Sequence, residues 1–177
     1  MLILNRRSTE PATDRVALAY DERKRSRLKV TLASGSAAGI FLERGEYLRG
    51  GDRLAAEDGN AVVEILAAPE KLIEVTASDP LLFARAAYHL GNRHVPVQII
   101  AEAGGGRLRF QTDHVLAEMA RGLGCVVGET EAPFQPEAGA YGAHPAPHWH
   151  DDATPDLHPP GHGPHRSLPK IHEFKPR

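Results

Sequence analysis

Residues 78–92, SDPLLFARAAYHLGN, decide the fold of the second half of this 177-residue chain. Asp79 is a preferred helix N-cap residue, and Pro80 follows at the first helical position, where proline is favoured. The apolar residues that then recur at helical spacing are Leu82, Phe83, Ala86, Ala87 and Leu90. Gly91-Asn92 is typical of a helix C-terminus. The segment therefore predicts an amphipathic helix that ends shortly before His94.

The segments around this helix predict the order β-α-β-β-α-β. Strands are predicted at residues 72–75, 95–100, 108–111 and from 125 onward, with a turn at 104–106. Asp113 caps a second helix that ends at Gly124. This order is that of the ferredoxin-like split βαβ folds. We therefore predict an α+β protein whose residues 71–142 form a ferredoxin-like domain.

The first seventy residues predict a small all-β domain. Leu28, Val30 and Leu32 alternate with polar residues, which is the period of a half-buried strand. Asp58-Gly59-Asn60 lies between two short apolar runs and indicates a hairpin. Several strands at close spacing favour a sandwich or barrel over residues 1–70. The basic stretch that follows Asp21-Glu22 is interpreted as a solvated loop or sheet edge.

Composition excludes several classes of protein. The single cysteine, Cys125, excludes a disulfide framework and a multi-thiolate zinc site. A net charge of −2 gives no field that favours nucleic acid. No run approaches the roughly 18–20 apolar residues that span a bilayer, and the N-terminus does not have the charge order of a secretory signal. We expect a cytoplasmic protein with small cores of Val, Leu, Ile and Ala, and with neither nucleic acid nor membrane as a partner.

The end of the chain is rich in histidine and proline. Seven of the ten histidines share the last 37 residues with eight prolines. These histidines are His144, His148, His150, His158, His162, His165 and His172. Proline at that density disfavours helix, and the segment has too few aliphatic residues to offset its ordering entropy. We predict a disordered tail over residues 143–177, of the His-rich kind that usually binds metal; a solvated linker with incidental histidines is the alternative.

Three further histidines lie in the part that is predicted to fold. His89 lies late in the first helix, where a cation meets the helix dipole favourably, so we interpret it as a helix-end residue. His114 lies in the first turn of the second helix, where a charged imidazole is disfavoured, and it is either a neutral metal ligand or a surface residue. His94 follows the first helix, and Pro96 biases Val95 toward an extended conformation. A fixed loop is therefore expected to present the His94 ring.

One imidazole does not make a metal site, because a stable site needs about three protein ligands. No His-Glu-x-x-His helix or other compact set of three ligands occurs in the sequence. A twofold dimer that brings two copies of His94 together can complete a site, and so can ligands from the tail. Imidazoles without thiolates suit nickel, copper, zinc and cobalt. Ligands on a disordered tail can be exchanged stepwise, which favours a carrier that hands its metal over.

Several stretches resemble the UreE family of urease accessory nickel metallochaperones. The most specific is YHLGNRHVPVQ at residues 88–98. The others are DHVLAEM at 113–119 with Leu-Gly at 123–124, FQPEAGAYG at 134–142, and weaker segments at 21–27 and 44–52. The resemblance covers residues 1–142 and is followed by a His-rich tail. It implies a β domain similar to the peptide-binding domains of chaperones, followed by a ferredoxin-like metal domain.

The resemblance also implies a function. It implies a homodimer that binds Ni²⁺ at its interface through His94 of each subunit and delivers the ion to apo-urease. Its partners would be the urease apoprotein, a GTPase accessory protein and two further accessory proteins. His114 lies in a motif implicated in secondary metal binding in some members, and some of those carry another histidine where this chain has Thr112.

Other functions fit parts of the sequence. A storage or buffering protein for zinc, nickel or copper would share His94 and the tail and would lack only the urease client. An RNA-binding module would need several aromatic residues on the central strands, where only Phe110 occurs. A metal-dependent hydrolase would need three fixed ligands and a general base. The sequence supplies no such set, so we predict that the protein is not an enzyme.

Overall fold

The computed structural model of the protein describes residues 1–138, and the predicted tail at residues 143–177 lies outside the described residues. Six strands form the first sheet, and they are β1 (Leu2–Arg7), β2 (Asp14–Leu18), β3 (Arg27–Thr31), β4 (Ala37–Phe41), β5 (Arg53–Ala56) and β6 (Val62–Ala67). A single-turn helix, α1 (Tyr20–Arg23), lies between β2 and β3. This half of the chain is strand-rich, as predicted, with one short helix that the sequence pattern did not reveal.

The first sheet is mixed and has the order β2-β6-β5-β1-β4-β3. β1 pairs with β4 and β2 with β6 in parallel, and the other neighbours are antiparallel. The predicted hairpin at Asp58-Gly59-Asn60 joins β5 to β6, with the Ala56 amide donating to the Ala61 carbonyl at 2.8 Å. Beyond β3, the Ala33 amide donates to the Arg15 carbonyl of β2 at 2.8 Å. The two outer strands therefore meet at one end, and the sheet curls around its core.

Aliphatic side chains fill the core of the first sheet. The buried residues are Leu4, Val16, Leu18, Val30, Leu32, Ala38, Ile40, Leu48, Leu54, Ala56, Val63 and Ile65. Each one is Val, Leu, Ile or Ala, as the composition predicted. Burying one of the larger of these side chains stabilises the fold by about 1.5–3 kcal/mol, so the curled sheet holds together without aromatic packing at its centre.

The second sheet consists of four antiparallel strands with two helices on one face. The elements are β7 (Pro69–Ala77), α2 (Pro80–Gly91), β8 (Gln98–Glu102), β9 (Gly105–Gln111), α3 (His114–Gly122) and β10 (Val126–Pro133). The sheet order is β10-β7-β9-β8, and the order along the chain is the predicted β-α-β-β-α-β. The core between helices and sheet consists of Ile73, Val75, Ala77, Ala86, Leu90, Leu108, Phe110, Leu116, Ala117, Ala120 and Cys125. Among residues 1–138, no helix is both long and apolar enough to cross a membrane.

Two predicted boundaries in the hairpin of β8 and β9 were wrong, and both have a local cause. β8 begins at Gln98 rather than at residue 95, in keeping with the lack of an N–H group in Pro96 for strand pairing. The turn predicted at 104–106 is shorter, because β9 already begins at Gly105. A β-carbon at Gly105 would lie 2.2 Å from the carbonyl oxygen of Ala77. Glycine therefore lets β9 approach the end of β7.

The interpretation of the basic stretch before β3 as solvated was wrong for Arg23, which is 2% exposed. Its guanidinium donates to the carbonyl oxygens of Leu18 at 3.2 Å and of Leu48 at 3.4 Å, and to that of Phe134. Burial lowers the pKa of Arg23 from its ordinary value, and the nearby Glu70 carboxylate partly offsets this. Because Phe134 follows the last strand of the second sheet, Arg23 joins the two sheets.

Other contacts of α1 strengthen this junction. The Tyr20 amide donates to a Glu70 carboxylate oxygen at 2.7 Å, and the Tyr20 ring lies edge-on to the Phe134 ring with centroids 5.2 Å apart. Gln111, at the end of β9, donates to the Asp21 carboxylate at 3.1 Å. We call this region, centred on Tyr20, Arg23 and Phe134, the domain joint. The short helix that the sequence pattern missed is one of the elements that connect the two sheets.

Candidate metal site

The end of α2 positions His94. The helix begins as predicted, with the Asp79 carboxylate accepting the Leu82 amide at 2.9 Å. It ends at the predicted glycine and asparagine, where the Asn92 amide donates to the Tyr88 carbonyl at 2.9 Å. Both ends are therefore fixed by local hydrogen bonds, and the residues that follow the helix leave it in a defined direction.

His94 has an unusual backbone conformation. Its φ is +56°, and within residues 1–138 it is the one residue other than glycine with a positive φ. The His94 amide donates to the Gly91 carbonyl at 2.9 Å, and the Arg93 guanidinium donates to the His89 carbonyl at 2.9 Å. A left-handed conformation costs a residue with a β-carbon about 1–2 kcal/mol, and strain of this kind clusters at functional sites. The turn displays the exposed His94 ring at the cost of backbone strain.

The other two histidines of the described part lie in ordinary helix positions. His89 lies in the last turn of α2 and is half-buried, with its ring edge-on to the Tyr88 ring at a centroid distance of 5.3 Å. His114 is the first residue of α3 and is exposed, directly after the N-cap Asp113. Neither residue has the backbone strain that marks His94.

The structure does not assemble a complete site from one described chain. Within residues 1–138, no three His, Cys, Asp or Glu side chains are grouped so that they could hold a metal ion. Cys125 is buried, and burial raises the pKa of its thiol, so a thiolate ligand is disfavoured. The predicted tail ligands lie outside the described residues, and they are His144, His148, His150, His158, His162, His165 and His172.

Residues 134–137, which we call the tail root, bring the chain to the loop of His94. The Gln135 amide donates to the side-chain oxygen of Gln98 at 3.1 Å. The Glu137 amide donates to the carbonyl of Val97 at 2.9 Å. Val97 lies three residues after His94, so the tail root is bonded to the segment that follows the His94 turn. Sequence analysis assigned no role to these residues, because no local pattern connects segments that lie 37 residues apart.

One side of α2 is apolar and exposed. Leu81 is 69% and Tyr88 is 68% exposed. They lie seven residues apart, so they project from the same side of the helix. Ile99 on β8, the strand that follows α2 along the chain, is 43% exposed. No function was predicted for these residues from the sequence. Their spacing of seven residues, outside the predicted core positions of the helix, could have indicated a second apolar side.

Two family models match successive parts of the chain. Residues 3–68 match the model described as UreE urease accessory protein, N-terminal domain, and residues 70–167 match the UreE urease accessory protein, C-terminal domain. The chain belongs to the UreE family. The two UreE matches meet between β6 and β7, where the first sheet ends and the second begins.

Curated UreE relatives match over much or all of the chain. The urease accessory protein UreE of Dechloromonas aromatica (strain RCB) is 76% identical over 177 residues, which are 100% of each chain. That of Pseudomonas putida (strain GB-1) is 53% identical over 154 residues, which are 85% of this chain and 90% of that protein. That of Burkholderia orbicola (strain AU 1054) is 57% identical over 127 residues, or 72% and 60%. The predicted family is confirmed, together with its two-domain architecture.

Proposed function

We propose that this member of the UreE family is a nickel metallochaperone that binds Ni²⁺ through histidines and delivers it to apo-urease. The observation that carries the proposal is the exposed His94 ring on a turn with φ +56°. A backbone conformation that costs about 1–2 kcal/mol is explained by a role for the ring that folding does not require. The relatives named urease accessory proteins point to the client.

A second copy of the chain would supply a second His94. A twofold axis repeats each surface residue, so two His94 rings can meet across it. The exposed side chains of Leu81 and Tyr88 on α2, the helix that precedes His94, support this arrangement, because apolar area removed from water stabilises an interface by about 25 cal/mol per Å². We therefore propose a homodimer with Ni²⁺ at its interface.

The tail would supply further imidazoles. The tail root ends at the Glu137–Val97 hydrogen bond beside the His94 loop. His144 follows Glu137 by seven residues, and a chain of that length spans up to roughly 25 Å. The nearest tail histidine can therefore reach the His94 ring of its own chain. Exchangeable ligands of this kind suit uptake and release of an ion rather than permanent retention.

The same ligand chemistry defines the secondary proposals. His114 is exposed at the start of α3, and we assign it as a ligand of a secondary site. Imidazole ligands also suit Zn²⁺, Cu²⁺ and Co²⁺, so these ions are expected to compete with Ni²⁺. The buried Cys125 leaves the site without thiolate.

The two domains and the tail would have different functions. Residues 1–70 would bind partner proteins, residues 71–142 the metal, and the tail at 143–177 would add ligands. The sheet order β10-β7-β9-β8, with α2 and α3 as the connections between β7 and β8 and between β9 and β10, supports a ferredoxin-like assignment for the second domain. The partners would be apo-urease and its accessory proteins, including the GTPase accessory protein. The protein would act in the cytoplasm as a carrier, not as an enzyme.

A nickel titration tests this function directly. Calorimetry on the wild-type chain, with the mass in solution measured in parallel, is expected to show one tightest Ni²⁺ site per dimer. His94→Ala removes the proposed shared ligand and is expected to abolish that site. His89→Ala, in the last turn of the preceding helix α2, is the matched control and should keep this site. Unchanged stoichiometry and affinity in His94→Ala would refute the role of His94.

Storage or buffering of zinc, nickel or copper is the second candidate, favoured by the seven tail histidines. Transfer to apo-urease separates the two functions. In the presence of the accessory proteins, a carrier loaded with Ni²⁺ is expected to activate apo-urease faster than free Ni²⁺ does at the same buffered concentration. Activation no faster than with the buffered ion would favour storage.

A further inference from the structure

We propose that the outer face of the first sheet is a docking surface for a segment of a partner protein that combines apolar side chains with acidic ones. The surface, which we call the apolar platform, consists of Met1, Ile3, Gly39 and Phe41. The inference rests on the partner-binding role proposed for residues 1–70, and it does not depend on the metal site at His94.

Two neighbouring parallel strands, β1 and β4, bring the platform together. Ile3 of β1 is the register partner of Gly39 of β4. The residues on either side of Gly39 are Ala38 and Ile40, and both are buried in the core of the sheet. Because successive residues of a strand point to opposite faces, Gly39 and Phe41 face away from this core. The platform therefore lies on the face of the sheet that the core does not use.

The side chains of the platform adjoin one another and are open to water. A β-carbon at Gly39 would lie 2.8 Å from a ring carbon of Phe41 and 3.5 Å from the terminal methyl carbon of Met1, so the ring covers the glycine and the methyl group lies beside it. Ile3 is 36%, Phe41 40% and Met1 74% exposed, and the core of the first sheet includes none of them. Contiguous exposed apolar groups often mark an interaction site.

Positive charges border the platform on the side of β3. In the antiparallel pair of β3 and β4, Arg27 lies opposite Phe41 and Lys29 lies opposite Gly39, so both side chains emerge on the face of the platform. Both residues are exposed, and within residues 1–138 neither forms an ion pair. Carboxylates of a docked segment would meet these two cations, so the charge of the border complements an acidic segment.

Acidic side chains at two corners favour a protein segment over a lipid surface. Glu57 and Asp58 line the depression beside Met1, and Glu43 lines the depression beside Phe41. An anionic membrane attracts clusters of basic residues and would be repelled at both corners. A peptide can place its carboxylates over β3 alone, with its apolar side chains on the platform.

Titration of the metal-free, full-length protein with synthetic peptides tests the inference. The probe peptide alternates Phe and Leu with Asp and Glu. One counterpart replaces its acidic residues with Lys, and the other replaces its apolar residues with Ser. Fluorescence anisotropy measures the affinity, and NMR chemical shifts locate the site. The probe is expected to shift resonances of β1, β3 and β4 and to bind about tenfold more tightly than either counterpart.

Ile3→Thr and Phe41→Thr test the apolar contact, since threonine removes apolar area and retains a preference for strands. Each substitution is expected to weaken binding of the probe by about three- to tenfold. Val126→Thr is the matched control, because Val126 is an exposed apolar residue on β10 of the second sheet. Circular dichroism and melting temperature verify that each variant is folded.

Lys29→Glu tests the charge of the border and leaves the apolar side chains in place. This reversal is expected to weaken binding of the probe by about fivefold and to strengthen binding of the Lys counterpart by a similar factor. Lys71→Glu is the matched control, because Lys71 is an exposed lysine on β7 of the second sheet. It should change neither affinity.

Three results would overturn the inference. They are the absence of probe binding to the wild-type chain, chemical shifts confined to residues outside β1, β3 and β4, and equal effects of the platform variants and their controls. Binding to phosphatidylglycerol vesicles without binding to the probe would assign the platform to a membrane and would overturn the inference as well. Ni²⁺ stoichiometry is measured separately with His94→Ala, so a failure of the inference is distinguishable from a failure of the proposed function.

Discussion

The two helices of the second sheet begin alike and end differently. Each begins at an aspartate whose carboxylate accepts amides of the first turn, Asp79 for α2 and Asp113 for α3. Each is followed by a residue with a left-handed backbone. After α3 this residue is Gly124 with φ +98°, and after α2 it is His94 with φ +56°. Glycine adopts this conformation without steric cost, whereas histidine does not.

The end of α3 has the hydrogen bonds of a stable helix stop. The Gly124 amide donates to the Arg121 carbonyl at 2.9 Å, and the Cys125 amide donates to the Ala120 carbonyl at 3.1 Å. This pair of bonds is the Schellman motif. Cys125 is thereby turned into the core, which is why β10 begins one residue later than the sequence predicted.

The end of α2 uses the first of these bonds, from His94 to Gly91, but presents an exposed imidazole. One kind of turn therefore directs a side chain into the core after α3 and exposes an imidazole after α2. At α2 the chain accepts strain where a glycine would have relieved it.

The largest effect is expected when His94 is replaced by glycine. His94→Gly should remove the tightest Ni²⁺ site and at the same time raise the free energy of unfolding by up to about 1 kcal/mol, because the left-handed strain is relieved. Nickel calorimetry and urea unfolding of the metal-free protein measure the two effects. His94→Ala is the control that loses the metal without relieving strain. A destabilised His94→Gly variant would instead show that the ring contributes to folding.

Gly124→Ala makes the opposite change at α3. A β-carbon at this position meets no atom within 4 Å, so the expected loss of about 1–2 kcal/mol in unfolding free energy comes from the backbone alone. Gly122→Ala is the matched control: it lies within the helix, also has open space around it, and should gain about 0.5–1 kcal/mol. Ni²⁺ affinity should stay constant in both. Equal effects of the two substitutions on urea unfolding would contradict the role of φ.

The two N-cap aspartates should differ in how much they stabilise the fold, according to the number of amide hydrogen bonds that each accepts. The Asp113 carboxylate accepts the amides of Val115 at 2.8 Å and Leu116 at 3.0 Å, whereas Asp79 accepts only that of Leu82. Replacing either aspartate with alanine should lower the unfolding free energy by about 1 kcal/mol, with the larger loss for Asp113→Ala. Urea unfolding of both variants measures the two losses of unfolding free energy. A larger loss for Asp79→Ala than for Asp113→Ala would contradict the prediction.

The smallest effect is expected at Cys125. Burial raises the pKa of its thiol, and the Asp79 carboxylate adds to the shift, so little thiolate is present at neutral pH. A thiol reagent should therefore react slowly with the folded protein and rapidly after unfolding in urea. Cys125→Ala should leave Ni²⁺ stoichiometry unchanged. Fast labelling of the folded chain would mean that the end of α3 opens readily.

Local signals predicted α2 and α3 but not α1, and contacts between distant residues escaped prediction. Asp79, Gly91 and Asp113 marked helix ends because caps act within one turn, and the alternation of elements followed from them. Arg23 was placed in solvent because nothing near it in sequence reveals its acceptor, Phe134, 111 residues away. A buried cation is visible only when both halves of the chain are folded together.

The candidate site divides in the same way. The sequence predicted that a loop after α2 presents His94, and the structure places the ring on the surface there. The positive φ of His94 could not be predicted, because residues other than glycine seldom adopt it and the motif gives no sign of it. The fastening of Gln135 by Gln98 depends on the path of the chain after β10, which only the folded sheets define.

The domain joint has a consequence for anyone who divides the molecule. A fragment cut between β6 and β7 would keep Arg23 and lose the Phe134 ring and carbonyl that cover it. An arginine stays protonated near neutral pH, so the N-terminal fragment would expose the positive charge of Arg23 to water. The C-terminal fragment would expose the apolar ring of Phe134. Each fragment studied alone would therefore expose a surface prone to non-specific protein binding, and this surface is buried in the intact chain.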